Sequence, residues 1–438
     1  MKSSLEARVY RSFDELSGLQ EQWDTLAASA GAEVFLTYDW CRIWWKYYGK
    51  DRDLRVWAFQ KGTDLVGIVP LFLETVWLGP VSVRAARLLV SDHTLAQFSL
   101  PIVGDYLEEV AQGLAEFLLA EKWDILHVGP VAGLYRHRDA LMGALQKAFG
   151  GACSVSCRQK LVQTYYFVAD TWEAQLGSLS KNGRKHVRHS LRELDRVMEN
   201  QPGELVCDHA NCANVDELFR GFVDMHQQLW RKKGRPGHFG DWPDAFDFHQ
   251  ELARTQLEHD RLRLMRLRWG QRVLAYEYAF RFGERYFTFL CARDDGDDLA
   301  HLSIGSIMFC KLLQGAIRED IKCIDDMESR YEHKRRLGGQ LLPMTDIFIV
   351  PRRFMCLARA RVFGLLSTLL HLSYCRVWYM RIAPKLPLRR RPLWQSWIRS
   401  AAFCRYMQFI AAAGACAAAF LGQAQPMLQD VCRTGIVH

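Results

Sequence analysis

Apolar residues recur at helical spacing in two long stretches of the chain. In the first, Tyr106–Lys122, they fall three or four residues apart at Leu107, Val110 and Leu114, which predicts an amphipathic helix. The residues that follow, Trp123–Val128, form a short apolar run and predict a strand. Because alternation of strands and helices is typical of α/β proteins, we predict that fold class.

The second stretch, Leu176–Asn200, predicts a helix with Ser180 as its N-cap. Its apolar face carries Val187, Leu191, Leu194 and Met198. A second face carries arginine at every fourth position, at Arg184, Arg188, Arg192 and Arg196. Because like charges at this spacing repel one another, the stripe indicates either an acidic partner or a solvated face beside acidic protein surface.

Two segments repeat the pattern of a strand, a glycine turn and a second strand. Arg55–Phe72 and Arg263–Phe280 place their first Arg, their turn Gly and their final Phe in the same register. The repeat predicts two copies of one α/β unit, each built around a central hairpin, unless two generic hairpins match by chance.

The composition is that of a globular protein, with 49% hydrophobic and 24% charged residues among 438. This length is too great for one ordinary core, so we predict units at 1–165 and 166–350 and an α-helical tail at 351–438.

The positive charge is concentrated in the tail. The formal net charge is +8, yet residues 351–438 hold 13 Lys and Arg against one acid, Asp430. The body is therefore slightly acidic, which argues against a DNA partner. Two apolar stretches in the tail, Val362–Cys375 and Phe409–Gly422, are shorter than the roughly 18–20 residues of a membrane-spanning helix. Flanked by bases, they suit the surface of an anionic membrane, or they pack on the body or on a partner.

The N-terminus lacks the apolar core of a secretory signal, which predicts a cytoplasmic protein, peripheral at the inner face of the membrane if the tail binds there. The 13 cysteines show no zinc-ligand spacing, so we expect reduced thiols and no metal.

The strongest candidate chemistry lies in the second unit. A predicted strand, Arg285–Cys291, leads into a helix that begins at Ser303-Ile304-Gly305-Ser306. The first N–H groups of such a helix can bind phosphate, although every capped helix offers this. The chain has no Walker loop and no dinucleotide fingerprint. Downstream, Ile324–Gly339 is dense in acids and bases at a strand end, where catalytic groups often project, or it is a solvated loop.

Four stretches in this order resemble the CelD-like acetyltransferases of the GNAT superfamily, which are related to the FemAB peptidyltransferases. They are Phe35–Gly49, Leu179–Arg196, Met225–Phe239 and Leu299–Gly339. The resemblance implies tandem GNAT-like units with mixed, mainly antiparallel sheets flanked by helices. It covers about residues 34–340.

The sequence departs from the family pattern in two places. The family's Ser-Pro-Gly helix start is Ser303-Ile304-Gly305 here. In the family's Gly-Asp-x-x-Tyr-Lys motif, the Gly and Tyr positions hold Ser329 and His333; Lys334 is retained and Tyr331 is displaced by two. The second departure puts the acceptor site, and activity itself, in question.

The resemblance implies acyl-CoA, most simply acetyl-CoA, as the co-substrate. The expected binding residues are Phe289, Leu290 and Cys291 on the strand and Ser303, Ile304, Gly305 and Ser306 at the helix start. The candidate bases are His226, Asp325 and His333. Tyr331 is the candidate proton donor to the leaving thiolate, and Lys334, which matches the lysine of the family's motif, completes the candidate catalytic set.

Three functions fit these observations. The first is an acyl-CoA-dependent N- or O-acyltransferase for a sugar or a cell-envelope or exopolysaccharide acceptor. The second is a FemAB-like aminoacyl transferase, for which the arginine stripe would meet tRNA or a lipid-linked precursor. The third is a catalytically silent GNAT-like scaffold at the membrane.

Overall fold

A computed structural model describes residues 5–94, 97–159, 161–200, 203–232, 237–296, 299, 302–328, 332–370, 372–373, 377, 381–382, 385, 404 and 407. Tyr331 and the predicted tail helix Phe409–Gly422 lie outside these residues.

The first of two seven-stranded sheets has the order β1-β2-β3-β4-β5-β14-β6. Its strands are β1 Glu6–Tyr10, β2 Asp53–Lys61, β3 Asp64–Leu78, β4 Val81–Leu88, β5 Ile125–Val131, β6 Cys153–Arg158 and β14 Thr345–Pro351. Every residue of β5 and β14 is buried, because other parts of the protein cover both faces of the sheet at its centre.

The second sheet has the order β13-β7-β12-β11-β10-β9-β8. Its strands are β7 Val162–Phe167, β8 Leu205–His209, β9 Leu262–Trp269, β10 Arg272–Phe282, β11 Arg285–Arg293, β12 Cys323–Glu328 and β13 Gln340–Pro343. Strands β9 to β11 form antiparallel hairpins that turn at Gly270 and Gly283, both with positive φ, and the turn at Gly270 is one that the sequence predicts.

The two sheets repeat one topology and exchange one strand. Strands β8 to β12 repeat the order of β1 to β5, and in each unit the fourth strand pairs parallel with the fifth. The next position is filled from the other half of the chain: β14 lies between β5 and β6, whereas β7 lies between β12 and β13. The predicted tandem units are thus confirmed. The proposed unit limits at 165 and 350 each fall within an exchanged strand.

Twelve α-helices are described. They are α1 Gln20–Ser29, α2 Tyr38–Tyr48, α3 Leu107–Ala120, α4 Arg138–Phe149, α5 Trp172–Ser178, α6 Lys181–Asn200, α7 Val215–Lys232, α8 His238–Asp241, α9 Ala245–Glu258, α10 Ile304–Arg318, α11 Glu332–Arg336 and α12 Phe354–Leu370. The helix expected over Leu176–Asn200 is in fact two, since α5 ends at Ser178. Ser180 caps α6 as predicted, because its hydroxyl accepts the Gly183 N–H at 3.1 Å.

Aromatic side chains join the two units. The ring centroid of Trp40 on α2 lies 4.8 Å from that of Phe280 on β10. Phe35, just before α2, lies 5.7 Å from Phe287 on β11. Edge-to-face contacts of this kind add to the burial of large rings, so the first unit supports one face of β10 and β11.

The tail helix belongs to the first unit. Cys356, Ala360 and Phe363 on α12 are buried against β3, β4 and β14. The helix begins eight residues before the predicted stretch at Val362, because its first turns pack on the sheet. Across the described part of the chain, no helix has both the length and the apolarity that crossing a bilayer requires.

Candidate functional site

The candidate site begins where β11 and β12 separate. These strands pair only at Arg285–Cys323, Tyr286–Ile324 and Phe287–Asp325. On its other side β11 has a bulge, because Leu290 pairs with Tyr278 and Thr288 pairs with Ala279. Phe289 is the extra residue, and a bulged residue drops out of the hydrogen-bond ladder. The gap between β11 and β12 thus presents backbone groups of the predicted residues Phe289, Leu290 and Cys291.

The first unit lacks this gap. There the β3–β4 pairing runs without a bulge, and Phe98 pairs with the end of β5: its N–H donates to the Pro130 carbonyl and its carbonyl accepts the Ala132 N–H, both at 2.9 Å. At the position of Phe287 the first unit carries Arg87. The tandem units have therefore diverged, and the second holds the open edge.

Helix α10 begins beside the end of β11. Its N-cap residue, Ser303, makes no side-chain cap bond. The Ile304 N–H donates to the Leu302 carbonyl at 2.9 Å, which leaves the Gly305 and Ser306 N–H groups for another acceptor. A Cβ at Gly305 would meet only the Arg293 guanidinium, at 3.5 Å. His186 of α6 places its Nε2 3.1 Å from the Ser306 hydroxyl. Open backbone, a guanidinium and an imidazole fit the diphosphate of an acyl-CoA.

His226 supports β11 from the side of α7. It is buried, and its Nδ1 lies 3.1 Å from the Cys291 carbonyl oxygen, which can only accept. Nδ1 therefore carries the proton, and Nε2 accepts from His238 Nδ1 at 3.0 Å. With both nitrogens engaged, His226 is placed to fix the strand. His238, the half-buried member of this pair, is a residue that the sequence analysis does not single out.

Asp325 lies between the units and is fully buried. One oxygen accepts hydrogen bonds from Gln97 at 2.5 Å and Gln163 at 2.6 Å, and the other accepts the Met327 N–H at 3.0 Å. Burial raises the pKa of this carboxyl to about 7, with Arg285 lowering it and Glu33 raising it. Its partners come from the first unit and the exchanged strand β7, so Asp325 ties three segments together.

Asp326 is adjacent to Asp325 and belongs to a separate polar cluster at the gap. It accepts a hydrogen bond from the Thr288 hydroxyl at 2.6 Å and forms an ion pair with Lys334 at 2.7 Å. The hydroxyl of Tyr166 lies 3.4 Å away. The structure thus brings the predicted Lys334 to the gap. His333 lies in α11, and its side chain is not among the described atoms.

Glu277 is a second site residue that the sequence analysis does not single out. It lies on β10 opposite Cys291 and is 9% exposed. Burial first and the charge of Asp326 second raise its pKa, Lys334 lowers it, and the net pKa is about 8. The available signal was one acid inside the apolar run VLAYEYAF of β10. A carboxyl that titrates near neutral pH at the edge of a gap is a candidate acid–base group.

The described residues hold no group of three or more His, Cys, Asp or Glu able to bind a metal ion. The arrangement offers a helix start with N–H groups open to an anion, an open backbone edge and a buried carboxyl. These groups suit transfer of an acyl group.

Comparison with known sequences agrees with this chemistry. Residues 181–335 match the acetyltransferase (GNAT) domain family, and this stretch spans β9 to β12, α10 and Lys334. The chain therefore contains a GNAT-type acetyltransferase domain and is an acyltransferase. No curated protein matches the sequence significantly.

Comparison with solved structures concerns the fold. The crystal structure of FemX is 10% identical, with a TM-score of 0.54 over 75% of this chain and 95% of FemX. L-PGS from Bacillus licheniformis is 10% identical, with a TM-score of 0.45 over 77% of this chain and 94% of L-PGS. A tandem GNAT protein from the clavulanic acid biosynthesis pathway is 11% identical, with a TM-score of 0.39 over 80% of this chain and 98% of that protein. We argue only from FemX, which shares the overall fold.

Proposed function

We propose that the protein transfers an acyl group from acyl-CoA, most simply acetyl-CoA, to an amine or hydroxyl of a sugar or cell-envelope acceptor. One observation carries the assignment of acyl-CoA as the donor. The bulged strand β11 ends beside the start of α10, where the Arg293 guanidinium lies 3.5 Å from the Cβ position of Gly305. The acceptor class rests on the resemblance to CelD-like enzymes alone.

In this proposal the backbone binds the donor. The first turn of α10 and Arg293 hold the phosphates, because unpaired N–H groups and a guanidinium favour anions. The donor supplies a thioester carbonyl, and the bulged backbone around Phe289 offers an N–H to the oxygen that becomes negative. His226 keeps that backbone in place through the Cys291 carbonyl.

Glu277 is the proposed proton acceptor. As a carboxylate it takes the proton of the attacking amine or hydroxyl while the new bond to the carbonyl carbon forms. The carbon–sulfur bond then breaks, and the thiolate takes up a proton, for which Lys334 and Tyr331 are the proposed donors. Asp325 is fully hydrogen-bonded, so we assign it to positioning of β12 rather than to proton transfer.

Calorimetry with a panel of acyl-CoAs tests the donor site. A Gly305→Trp variant should lose at least 100-fold in affinity (about 3 kcal/mol), because the indole would cover the first turn of α10. Gly143→Trp is the matched control, since Gly143 is an exposed helical glycine on α4 with nothing within 4 Å of its Cβ position. Unchanged affinity in Gly305→Trp would exclude this site.

A second candidate, aminoacyl transfer from a charged tRNA, is favoured by one observation. Among the described residues, Lys181, Lys185, Arg188 and Arg192 on α6 are exposed and form no ion pair. The same helix touches the start of α10 through His186. Arg184 does not belong to this surface, because it donates to the Gly177 and Leu179 carbonyls.

Binding experiments separate the candidates. Tight binding of charged tRNA with a steep salt dependence, lost on replacing Arg188 and Arg192 by Gln, would support the second. Binding of acyl-CoA with turnover supports the first. Binding of acyl-CoA without turnover on any acceptor would indicate the silent scaffold.

A further inference from the structure

The outer face of α12 is apolar although it faces away from the protein. Cys356, Ala360 and Phe363 form the buried inner face. The opposite side exposes large apolar side chains, namely Phe354 (81%), Met355 (57%), Val362 (44%), Leu365 (53%) and Leu369 (52%). A helix on a globular surface normally presents polar residues outward, so this face is suited to an apolar environment.

Cations surround this face. Arg352, Arg353, Arg359 and Arg361 are all exposed at or near the first half of α12. Of these, Arg359 lies 3.6 Å from Asp124, and the other three form no ion pair within the described part of the chain. No acidic residue occurs in the sequence between Asp346 and Asp430. The surface is therefore apolar and cationic, with no nearby carboxylate of its own segment.

We propose that α12 docks in the plane of an anionic lipid surface, with its outer apolar side chains inserted among the lipids. The inner face is fixed to the first sheet, so the helix lies on the membrane rather than crossing it. A second copy of the chain is a poorer occupant, because two such faces would bring like charges together. Since α12 packs on β4 and β14, docking would turn the first unit toward the membrane.

Both parts of the surface contribute to the expected affinity. Each Arg near an anionic leaflet adds about 1 kcal/mol, which is about 5-fold in binding. Replacing Arg353 and Arg361 by Gln should therefore weaken binding to anionic vesicles about 25-fold. Replacing Leu365 and Leu369 by Ser should weaken it by at least 10-fold, because both side chains would lose their apolar contact with lipid.

The test is sedimentation of the full-length chain with phosphatidylcholine vesicles that contain or lack 30% phosphatidylserine. We expect binding to the anionic vesicles, a decrease on raising salt, and the losses above in the two double variants. Phe117→Ser is the matched control, since Phe117 is a 39% exposed apolar residue on α3, in the body. Circular dichroism verifies that each variant is folded.

Three results would overturn the proposal. One is equal binding of the Leu365→Ser/Leu369→Ser variant and the wild type to anionic vesicles. A second is equal binding to vesicles with and without phosphatidylserine. The third is sedimentation velocity showing that the same variant converts a dimer to a monomer while vesicle binding is kept, which would assign the face to self-association.

Discussion

Replacing Glu277 by Gln should slow catalysis and, at alkaline pH, stabilise the fold. The carboxyl has a pKa of about 8 in the folded protein, against 4.5 for an ordinary Glu. Between these values it is neutral when folded and ionised when unfolded, so ionisation favours the unfolded chain. The stability it contributes is complete below pH 4.5 and falls as pH rises toward 8.

The size of the effect follows from the two pKa values. Each pH unit between them costs about 1.4 kcal/mol, which sums to about 5 kcal/mol at pH 8 and above. The Gln amide cannot ionise, so the variant should escape this loss, although its N–H groups lack an assured acceptor and can cost about 1–3 kcal/mol. We therefore expect Glu277→Gln to be more stable than the wild type by about 2–4 kcal/mol at pH 9 and less stable by up to about 2 kcal/mol at pH 5, where the wild type has lost only about 1 kcal/mol.

Two assays measure these effects. Urea unfolding from pH 5 to pH 9 gives the free energy of unfolding, with the exposed Glu258 replaced by Gln as the control. Release of CoA thiol from acetyl-CoA measures activity, which should fall 10²–10⁴-fold in the variant. The wild-type rate should increase as pH rises through about 8, and the variant should lack this increase. A variant that keeps the wild-type rate and pH profile would show that Glu277 is not the base. A variant whose stability falls with pH as in the wild type would refute the assigned pKa.

Two other substitutions test the buried ion pairs of the first unit and the support of β11. Asp92→Asn should lower the free energy of unfolding by about 3–5 kcal/mol, because Arg52 and Arg87 would lose the carboxylate that binds both within the core; urea unfolding measures this, and a loss below 1 kcal/mol would contradict it. His226→Phe should weaken acyl-CoA binding about 10-fold in calorimetry by releasing the Cys291 carbonyl; unchanged affinity would show that the strand needs no such support.

The parts of the fold that sequence predicts are those set by local pattern. The hairpins around Gly62 and Gly270 and the helix α10 follow from periodicity and turn residues, and all are observed. The strand exchange is different, because nothing in the local sequence of β7 or β14 indicates which sheet the strand joins. Register across distant strands depends on which surfaces the whole chain buries.

The candidate site shows the same division. The start of α10 and Lys334 follow from motif and spacing. The position of Asp325 does not, because Gln97 and Gln163, which engage it, are 228 and 162 residues away in sequence. Glu277 escaped notice because its raised pKa depends on burial and on Asp326, which is brought near by the pairing of strands.

The exchanged strands also set an order for folding during synthesis. The second unit has all seven of its strands once β13 has been made, because β7 precedes it in the chain. The first unit must wait for β14, and until then β5, which is wholly buried in the finished fold, has one edge without its partner. At about 5–20 residues per second, making the chain from β6 to β14 takes about 10–40 s. We therefore expect this protein to complete its C-terminal unit first, against the usual N-terminal-first order, and to need a chaperone for its exposed edge on the ribosome.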